Sequence, residues 1–493
     1  MKKALYIAFI VVFLGICSVP LLGLLFGYRN INVEKRALAP FPVFFDKKGF
    51  NEGFPEEVEN YLSDHFAFKP QLVTADAVLH EALFGESVSE KVIVGEDGWL
   101  FFAPTLPDYL ATEVLSDNDI LRIARILSVQ EEALARRGVA FVFVVAPNKA
   151  SIVPERMPDR YTPTGADNNY DKLYRVLDAA GKTYPDLRSI LLNHSAEGTA
   201  DGDLYLKLDS HWNNLGAWIA YRAIAESITA KKPEIVLSDF SEAGVEKRGI
   251  KNGDLSLMLY PASERTDTQY FFDLPGEYSS ARPIRTMEDI LIQTTRKNAQ
   301  GRILMFRDSF ANSLIPFFSD AFSSATYSRA VPYDYGLLTE DTDAVILEIV
   351  ERNLSNLLMT APLLSSYPVE SVPDVRPDGI TLDCRLEQTE GALRVYGTAT
   401  PSDYDPGEYY EVFIRVDGAD GIGGSETFVT FPILEKEFLE STEAPDSLAR
   451  RANVAFSARL DLSAYASGTY TLTVIVRGPT GAVSAPIETV VVS

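Results

Sequence analysis

Val139-Ala140-Phe141-Val142-Phe143-Val144-Val145-Ala146 is the stretch whose reading decides the fold. It is short, uncharged and rich in β-branched and aromatic side chains, the pattern of a strand covered by protein on both faces. The residues before it, 117–137, carry Ile120, Ile123, Ile126, Leu127 and Leu134 at helical spacing and predict an amphipathic helix. Toward the C-terminus the alternation continues. Residues 167–181 predict a helix, 205–208 a short strand, 213–228 a helix, 303–306 a strand, 310–322 a helix, 345–350 a strand and 354–364 a last helix. Strands alternating with helices imply an α/β layer built on a parallel sheet.

On the N-terminal side, 92–94 and 99–102 predict a hairpin about a turn at 95–98, and apolar periodicity over 50–85 predicts helix. Past Pro368, Pro373 and Pro377, short alternating stretches separated by Gly, Pro and Asp predict a helix-free β-sandwich. Its tyrosines and Phe428 fit either core packing or stacking on sugars, so carbohydrate binding and scaffolding both stand as readings of that unit. The expected division is a membrane segment over 1–28, a tether and helical region over 29–88, the α/β domain over 89–370 and the sandwich over 375–493.

Lys2 and Lys3 precede an uncharged stretch from Ala4 to Tyr28, followed by Arg29. That length crosses a hydrocarbon layer of roughly 30 Å as a helix. The flanking charges predict a single-pass signal-anchor with the bulk of the chain extracytoplasmic, periplasmic or extracellular; a cleaved signal peptide is the alternative. A net charge of −24 argues against nucleic acid as a partner. Cys17 and Cys384 leave the redox compartment open. The chain offers neither the His and Cys spacings of a metal site nor a Gly-rich phosphate loop, so neither metal nor cofactor is expected.

Two segments carry chemistry. Leu208-Asp209-Ser210-His211-Trp212 sets a carboxylate and an imidazole two residues apart, and Arg307-Asp308-Ser309-Phe310 sets a hydroxyl where an apolar run gives way to a predicted helix. A serine needs a base, and an Asp that fixes the imidazole tautomer frees the other ring nitrogen to take the serine proton. Both loops follow predicted strands and are expected to converge at the carboxyl ends of the sheet, with the N–H groups of the helix after Ser309 facing a reacting carbonyl. The bland alternative makes Asp209 and Ser309 helix caps and His211 a surface histidine.

Together with Asp64-His65-Phe66-Ala67-Phe68-Lys69, Val92 to Phe101, Ala146-Pro147-Asn148-Lys149, Gly253-Asp254-Leu255, Glu351-Arg352-Asn353 and Glu34-Lys35-Arg36, these segments occur in an order that resembles the SGNH hydrolase-like O-acetyltransferases of the alginate type (AlgX and AlgJ) and the DHHW-type proteins. The resemblance spans about residues 30–365. It implies an SGNH hydrolase-like α/β domain with permuted motif order, since the Asp/His block precedes the Ser block. It further implies a triad of Asp209, His211 and Ser309, with Asn148 similar to the oxyanion Asn of the hydrolases, although Lys149 follows it where that pattern has Asp. Arg307, Arg352 and Lys149 enter as candidate substrate or oxyanion residues, with support of the fold as the alternative for the two arginines. The implied activity is O-acetyl transfer to hydroxyls of a cell-surface or secreted polysaccharide through an acyl-serine, with a membrane-bound O-acyltransferase as the partner that supplies acyl groups. The alternatives are a carbohydrate acetylesterase using the same triad and a non-catalytic surface protein that binds glycan or protein.

Overall fold

The computed structural model describes residues 2–28, 37–46, 49–196, 203–377, 379–389, 391–418, 424–436 and 445–492. Its centre is a sheet built from Ala140–Ala146 (β1), Tyr278–Ser280 (β2), Leu291–Arg296 (β3), Gln300–Phe306 (β4), Phe322–Ser328 (β5) and Ala344–Val350 (β6), in the order β1-β6-β4-β5-β3-β2. The first four strands of that order run parallel. Alternation along β1 shows why its sequence is apolar throughout. Ala140, Val142, Val144 and Ala146 enter one core with the helix Asn214–Lys231, and Phe141, Phe143 and Val145 enter a second core with the helix Asp117–Ala135. Successive side chains on a strand point to opposite faces, so a strand between two helical layers has no solvent-facing position.

The parallel sheet acquires an antiparallel edge that the strand pattern did not predict: β3 pairs antiparallel with β5, and β2 with β3. A further hairpin, Val245–Lys251 with Thr266–Phe272, stands outside the sheet. Its outer strand is almost wholly exposed, which explains why it carries no hydrophobic signal. Three expected elements change. Residues 205–208 form no strand; a single Tyr205–Trp212 bridge closes a loop there. The expected helix over 310–322 is a short 3₁₀ turn, Phe310–Ser313, followed by the helix Ile315–Ala321, with Pro316 in its first turn. Proline lacks an N–H and crowds the residue before it, so one continuous helix is interrupted. The last expected helix is the 3₁₀ segment Glu351–Leu358.

Beyond the α/β unit the chain is β-rich. A six-stranded sheet and the three-stranded sheet Ile380–Thr389, Ala392–Pro401 and Ala455–Asp461 enclose a core of residues such as Val395, Ile414, Phe456 and Val474. The unit includes a helix, Pro445–Asn453, and the strand Ile380–Thr389, neither of which the sequence pattern predicted. Tyr396, Tyr410 and Phe428 are buried core residues. The opposite face of the six-stranded sheet contributes Phe413, Val429, Ile475 and Ala482 to the same core as β1 and the helix Asp117–Ala135, so the two units share packed interior.

At the N-terminus, the helix Lys2–Leu25 contains Leu5–Leu25, with mean hydropathy 2.7, long and apolar enough to cross a membrane. Tyr28 packs its ring against Phe68 at 4.1 Å and accepts a hydrogen bond from Gln71 at 3.1 Å, joining the end of that segment to the start of the helix Lys69–Phe84. Arg29 and Glu34-Lys35-Arg36 lie outside the described residues. His65 stacks on Tyr61 and bonds its carbonyl, a local packing role.

Candidate active site

The loop bearing Asp209 and His211 is closed at its neck and clamped from outside. Leu206 N–H donates to His211 O at 3.2 Å and Asn213 N–H to Leu204 O at 2.9 Å, while the Asn213 side chain caps the following helix. Gly216, in the first turn of that helix, lies against the neck: a Cβ there would meet Leu204 O at 2.5 Å. Asp267, on the outlying hairpin, accepts from Leu208 N at 2.7 Å. The Tyr205 hydroxyl donates to Pro147 O at 2.6 Å, tying the loop to the end of β1.

Within that frame Asp209 Oδ1 lies 2.7 Å from His211 Nδ1 and also accepts the His211 main-chain N–H at 3.0 Å. His211 Nε2 lies 2.8 Å from Ser309 Oγ. One acid, one imidazole and one hydroxyl are therefore in line, although the loops that carry them are 98 residues apart. Partial burial works against the Asp209 charge, and the hydrogen bond and charge of His211 overcome it, holding the carboxyl down at about 2. Burial likewise disfavours a charged His211, and the hydrogen bond and charge of Asp209, with the charge of Asp254, outweigh it and raise the imidazole above its ordinary value.

Ser309 follows β4, and its turn is pinned to the neighbouring strand. Asp308 accepts from Val350 N at 2.6 Å and from Phe310 N at 2.9 Å, and its own N–H donates to Glu348 Oε2 at 2.9 Å. Burial first, then the Asp308 charge, pushes the Glu348 carboxyl well above the usual range. The Phe310 N–H is consequently spent on Asp308. The expectation that helical N–H groups after Ser309 face a reacting carbonyl is corrected at that position: a 3₁₀ turn stands there and its first donor is occupied.

The remaining residues singled out from sequence separate into two sets. Asn148, Ser309 and Arg352 follow the carboxyl ends of the adjacent strands β1, β4 and β6. Arg352 Nη1 lies 3.5 Å from Asn148 Oδ1, and its guanidinium lies 5.4 Å from the centroid of the Phe310 ring, which itself is 4.8 Å from the His211 ring. Asn148 Nδ2 donates to Asp108 at 3.3 Å. Burial raises the Asp108 carboxyl to about 6 against the side-chain hydrogen bonds of Asn148 and Asn169 and the charge of Arg352. Arg307 and Lys149 face inward instead. Arg307 donates to the carbonyls of Met287, Asp289 and Asp308 and to Asn312. The Lys149 ammonium, buried over Trp99, donates to the carbonyls of Leu100, Lys207 and Asp209 at 2.6, 2.9 and 3.0 Å. Lys149 gives its donors to main-chain carbonyls, and Arg307 to main-chain carbonyls and the Asn312 side chain.

Asp254 is the site neighbour whose role sequence reasoning did not assign; Gly253-Asp254-Leu255 signalled it only as a matching segment. Asp209, His211 and Asp254 bring ligand-type atoms within 4.8 Å of one another, the grouping among the described residues that could offer three donors to a cation. Those atoms already serve hydrogen bonds: His211 Nδ1 with Asp209, and Asp254 Oδ2 with the Ser210 hydroxyl at 2.5 Å. With Ser309 Oγ on the far ring nitrogen, acid, imidazole and hydroxyl stand in series.

Residues 92–284 match the family described as SGNH hydrolase-like domain, acetyltransferase AlgX; the match includes Asn148, Asp209, His211 and Asp254 and ends before Ser309. The chain is 29% identical over 208 residues to a probable alginate O-acetylase AlgJ of Azotobacter vinelandii, covering 41% of this chain and 50% of that protein. It is 26% identical over 260 residues to the probable alginate O-acetylase AlgJ of Pseudomonas syringae pv. tomato, covering 52% and 61%. The chain thus spans about half to three-fifths of the length of these relatives. The structure of Bacillus cereus PatB1 aligns with a TM-score of 0.42 at 16% identity, over 53% of this chain and 96% of that one.

Proposed function

We propose, for a chain whose α/β core is of the SGNH hydrolase-like AlgX/AlgJ type, an O-acetyltransferase that acts outside the cytoplasm on hydroxyls of a cell-surface or secreted polysaccharide. The observation that carries this reading is the 2.8 Å contact between His211 Nε2 and Ser309 Oγ, with Asp209 on the opposite ring nitrogen. In the first half-reaction Ser309 Oγ attacks the acyl carbonyl of a donor ester and His211 takes the hydroxyl proton. The tetrahedral intermediate collapses, the imidazolium returns that proton to the departing oxygen, and acetyl-Ser309 remains. In the second, His211 deprotonates a sugar hydroxyl as it attacks the acetyl carbonyl, and the proton passes to the departing Ser309 oxygen. Asp209 keeps the imidazole in the required tautomer and stabilises its charged form. Arg352, 5.4 Å from the Phe310 ring, and the Asn148 amide N–H not given to Asp108 supply positive potential where the carbonyl oxygen gathers charge.

The N-terminal helix, read as a membrane anchor, holds this site near the bilayer. Acyl coenzymes are cytoplasmic, so the reading requires a membrane-bound O-acyltransferase that delivers acyl groups across the membrane, and tethering both in one membrane raises their effective concentration.

The test uses the full chain purified in detergent, with 4-nitrophenyl acetate as donor and a panel of oligosaccharides as acceptors. Acetyl-Ser309 detected by mass spectrometry, and acetyl appearing on an acceptor, support transfer. Acetate release that no acceptor diverts supports the esterase. Undiminished turnover in Ser309→Ala sinks both.

A further inference from the structure

Two carboxylates, not one, stand against the imidazole. Asp254 begins the short helix Asp254–Leu259, which Leu255 and Leu259 anchor in a small core shared with Val92, Leu100 and Leu208. That core sets the helix directly against the Asp209 loop. Gly253 makes the approach feasible: a Cβ there would meet Leu208 O at 2.3 Å and the Asp209 side chain at 2.8 Å. From this position the Asp254 main-chain N–H donates to Asp209 Oδ2 at 2.8 Å. Its Oδ1 accepts the Ser210 N–H at 2.7 Å, its Oδ2 accepts the Ser210 hydroxyl at 2.5 Å, and Oδ2 stands 3.7 Å from His211 Nδ1.

We propose that Asp254 is a positioning residue of this site: it fixes the second oxygen of Asp209 and both donors of Ser210, and its charge backs the imidazole while His211 holds the serine proton. The inference rests on the acyl-serine reading for its function but not for its geometry. Asp209 has two oxygens, and only Oδ1 faces the ring. An unrestrained carboxylate would rotate between them, and the N–H on Oδ2 selects one rotamer. The electrostatic part follows from proximity, since a second anion within about 4–6 Å of a ring favours its cationic form. The charged groups facing His211 are Asp209 on its own loop, Asp254 on the neighbouring helix and Arg352 after β6, and burial of the ring, with the Arg352 charge, opposes protonation. Asp254 in turn faces Asp209, His211, Arg352 and the buried Lys149. Partial burial, then the charge of Asp209, raises its carboxyl, so it holds its proton more readily than an isolated acid.

The experiment replaces Asp254 by Asn, which keeps the shape and the main-chain donor, and by Ser, which keeps a short polar group; each removes the charge. The His211 imidazole is titrated by NMR in the isotopically labelled full chain in detergent, and kcat/KM is followed against pH with 4-nitrophenyl acetate. The expected result is a His211 titration about one unit lower in both variants, with the acid limb of the rate profile moving by the same amount and kcat falling about 10–100-fold. An unchanged titration in both variants overturns the proposal, whether or not the chain transfers acetyl. Full activity in Ser309→Ala overturns the acyl-serine reading instead and leaves the titration result standing.

Discussion

The indole N–H of Trp212 donates to the carbonyl of Phe310 at 2.9 Å, so the residue after the candidate base is bonded to the residue after the candidate nucleophile. Trp212 is fully buried, and its ring meets the Phe310 ring edge-on at 5.2 Å. The 2.8 Å approach of His211 to Ser309 is thus held by a second, parallel link between the same two loops. Trp212→Phe keeps an aromatic ring and leaves the Phe310 carbonyl without its donor, at a cost of about 1–3 kcal/mol in stability. The expected outcome is a folded protein with kcat lowered about 10–100-fold and KM little changed, because a displacement on the order of 1 Å at the reacting atoms is enough for such a loss. Steady-state kinetics beside a thermal melt check it; wild-type kcat in the variant would show that the link positions nothing.

A base whose proton affinity is raised stays charged, and so idle, to a higher pH. His211 is raised above its ordinary value, with burial overcome by Asp209 and Asp254, and it must be neutral to accept the Ser309 proton. The rate should therefore climb with rising pH through an apparent pKa above the ordinary value of about 6.5. In Asp209→Asn the ring loses its anionic partner and adopts the wrong tautomer, so kcat should fall about 10⁴-fold at every pH. The pH dependence of kcat/KM in both proteins is the measurement. A wild-type limb below the ordinary histidine value would contradict the assignment of His211 as the base.

How much of this was legible in the residues depends on what each signal was made of. β1 and β6 were readable because they lie between two cores, β1 apolar at every position and β6 at every position but Glu348. The antiparallel edge and the outlying hairpin were not, since strands with a solvated face alternate polar and apolar residues only loosely. The Asp209-His211 pair was visible because its spacing is local, whereas nothing in the sequence shows that Ser309 lies 2.8 Å away except the order of motifs. Asp254 was invisible as an active-site acid for the same reason: its contact with Asp209 spans 45 residues and runs through its main-chain N–H, which every non-proline residue has. Lys149 enters from sequence as a candidate substrate or oxyanion residue, and only the three carbonyls around its Nζ show how its donors are used.

That buried ammonium makes its own prediction. Burial pulls Lys149 down to about 7 against the charges of Asp209, Asp267, Asp254 and Asp203, while three carbonyl acceptors call for the three N–H donors of the charged form. Lys149→Met fills a similar volume and strands those carbonyls, two of which belong to the Asp209 loop and the segment leading into it. Each buried unsatisfied acceptor costs about 1–3 kcal/mol. The variant should lose on the order of 2–5 kcal/mol and most of its activity, read by urea denaturation and by turnover. A neutral effect on stability would mean that the ammonium clamps nothing.

The β-rich C-terminal unit should melt together with the α/β unit rather than as a separate module. Phe413, Val429, Phe431, Ile433 and Ile475 from the C-terminal unit enter the core that holds Ile123, Ile126, Phe143 and Val145. The buried guanidinium of Arg122 donates to Pro432 O at 3.0 Å, and the Val429 N–H donates to Tyr367 O at 3.2 Å. Burying large apolar side chains is worth about 1.5–3 kcal/mol each, so five of them approach on the order of 10 kcal/mol, as much as the whole stability of an ordinary domain. Neither unit can then unfold alone without exposing a share of the other's interior. All three tryptophans, Trp99, Trp212 and Trp218, lie in the α/β unit, so their fluorescence reports that unit and far-ultraviolet circular dichroism reports both. The two melting curves of the full chain should coincide, because the sheet that would otherwise detach is also a wall of the core on one face of β1.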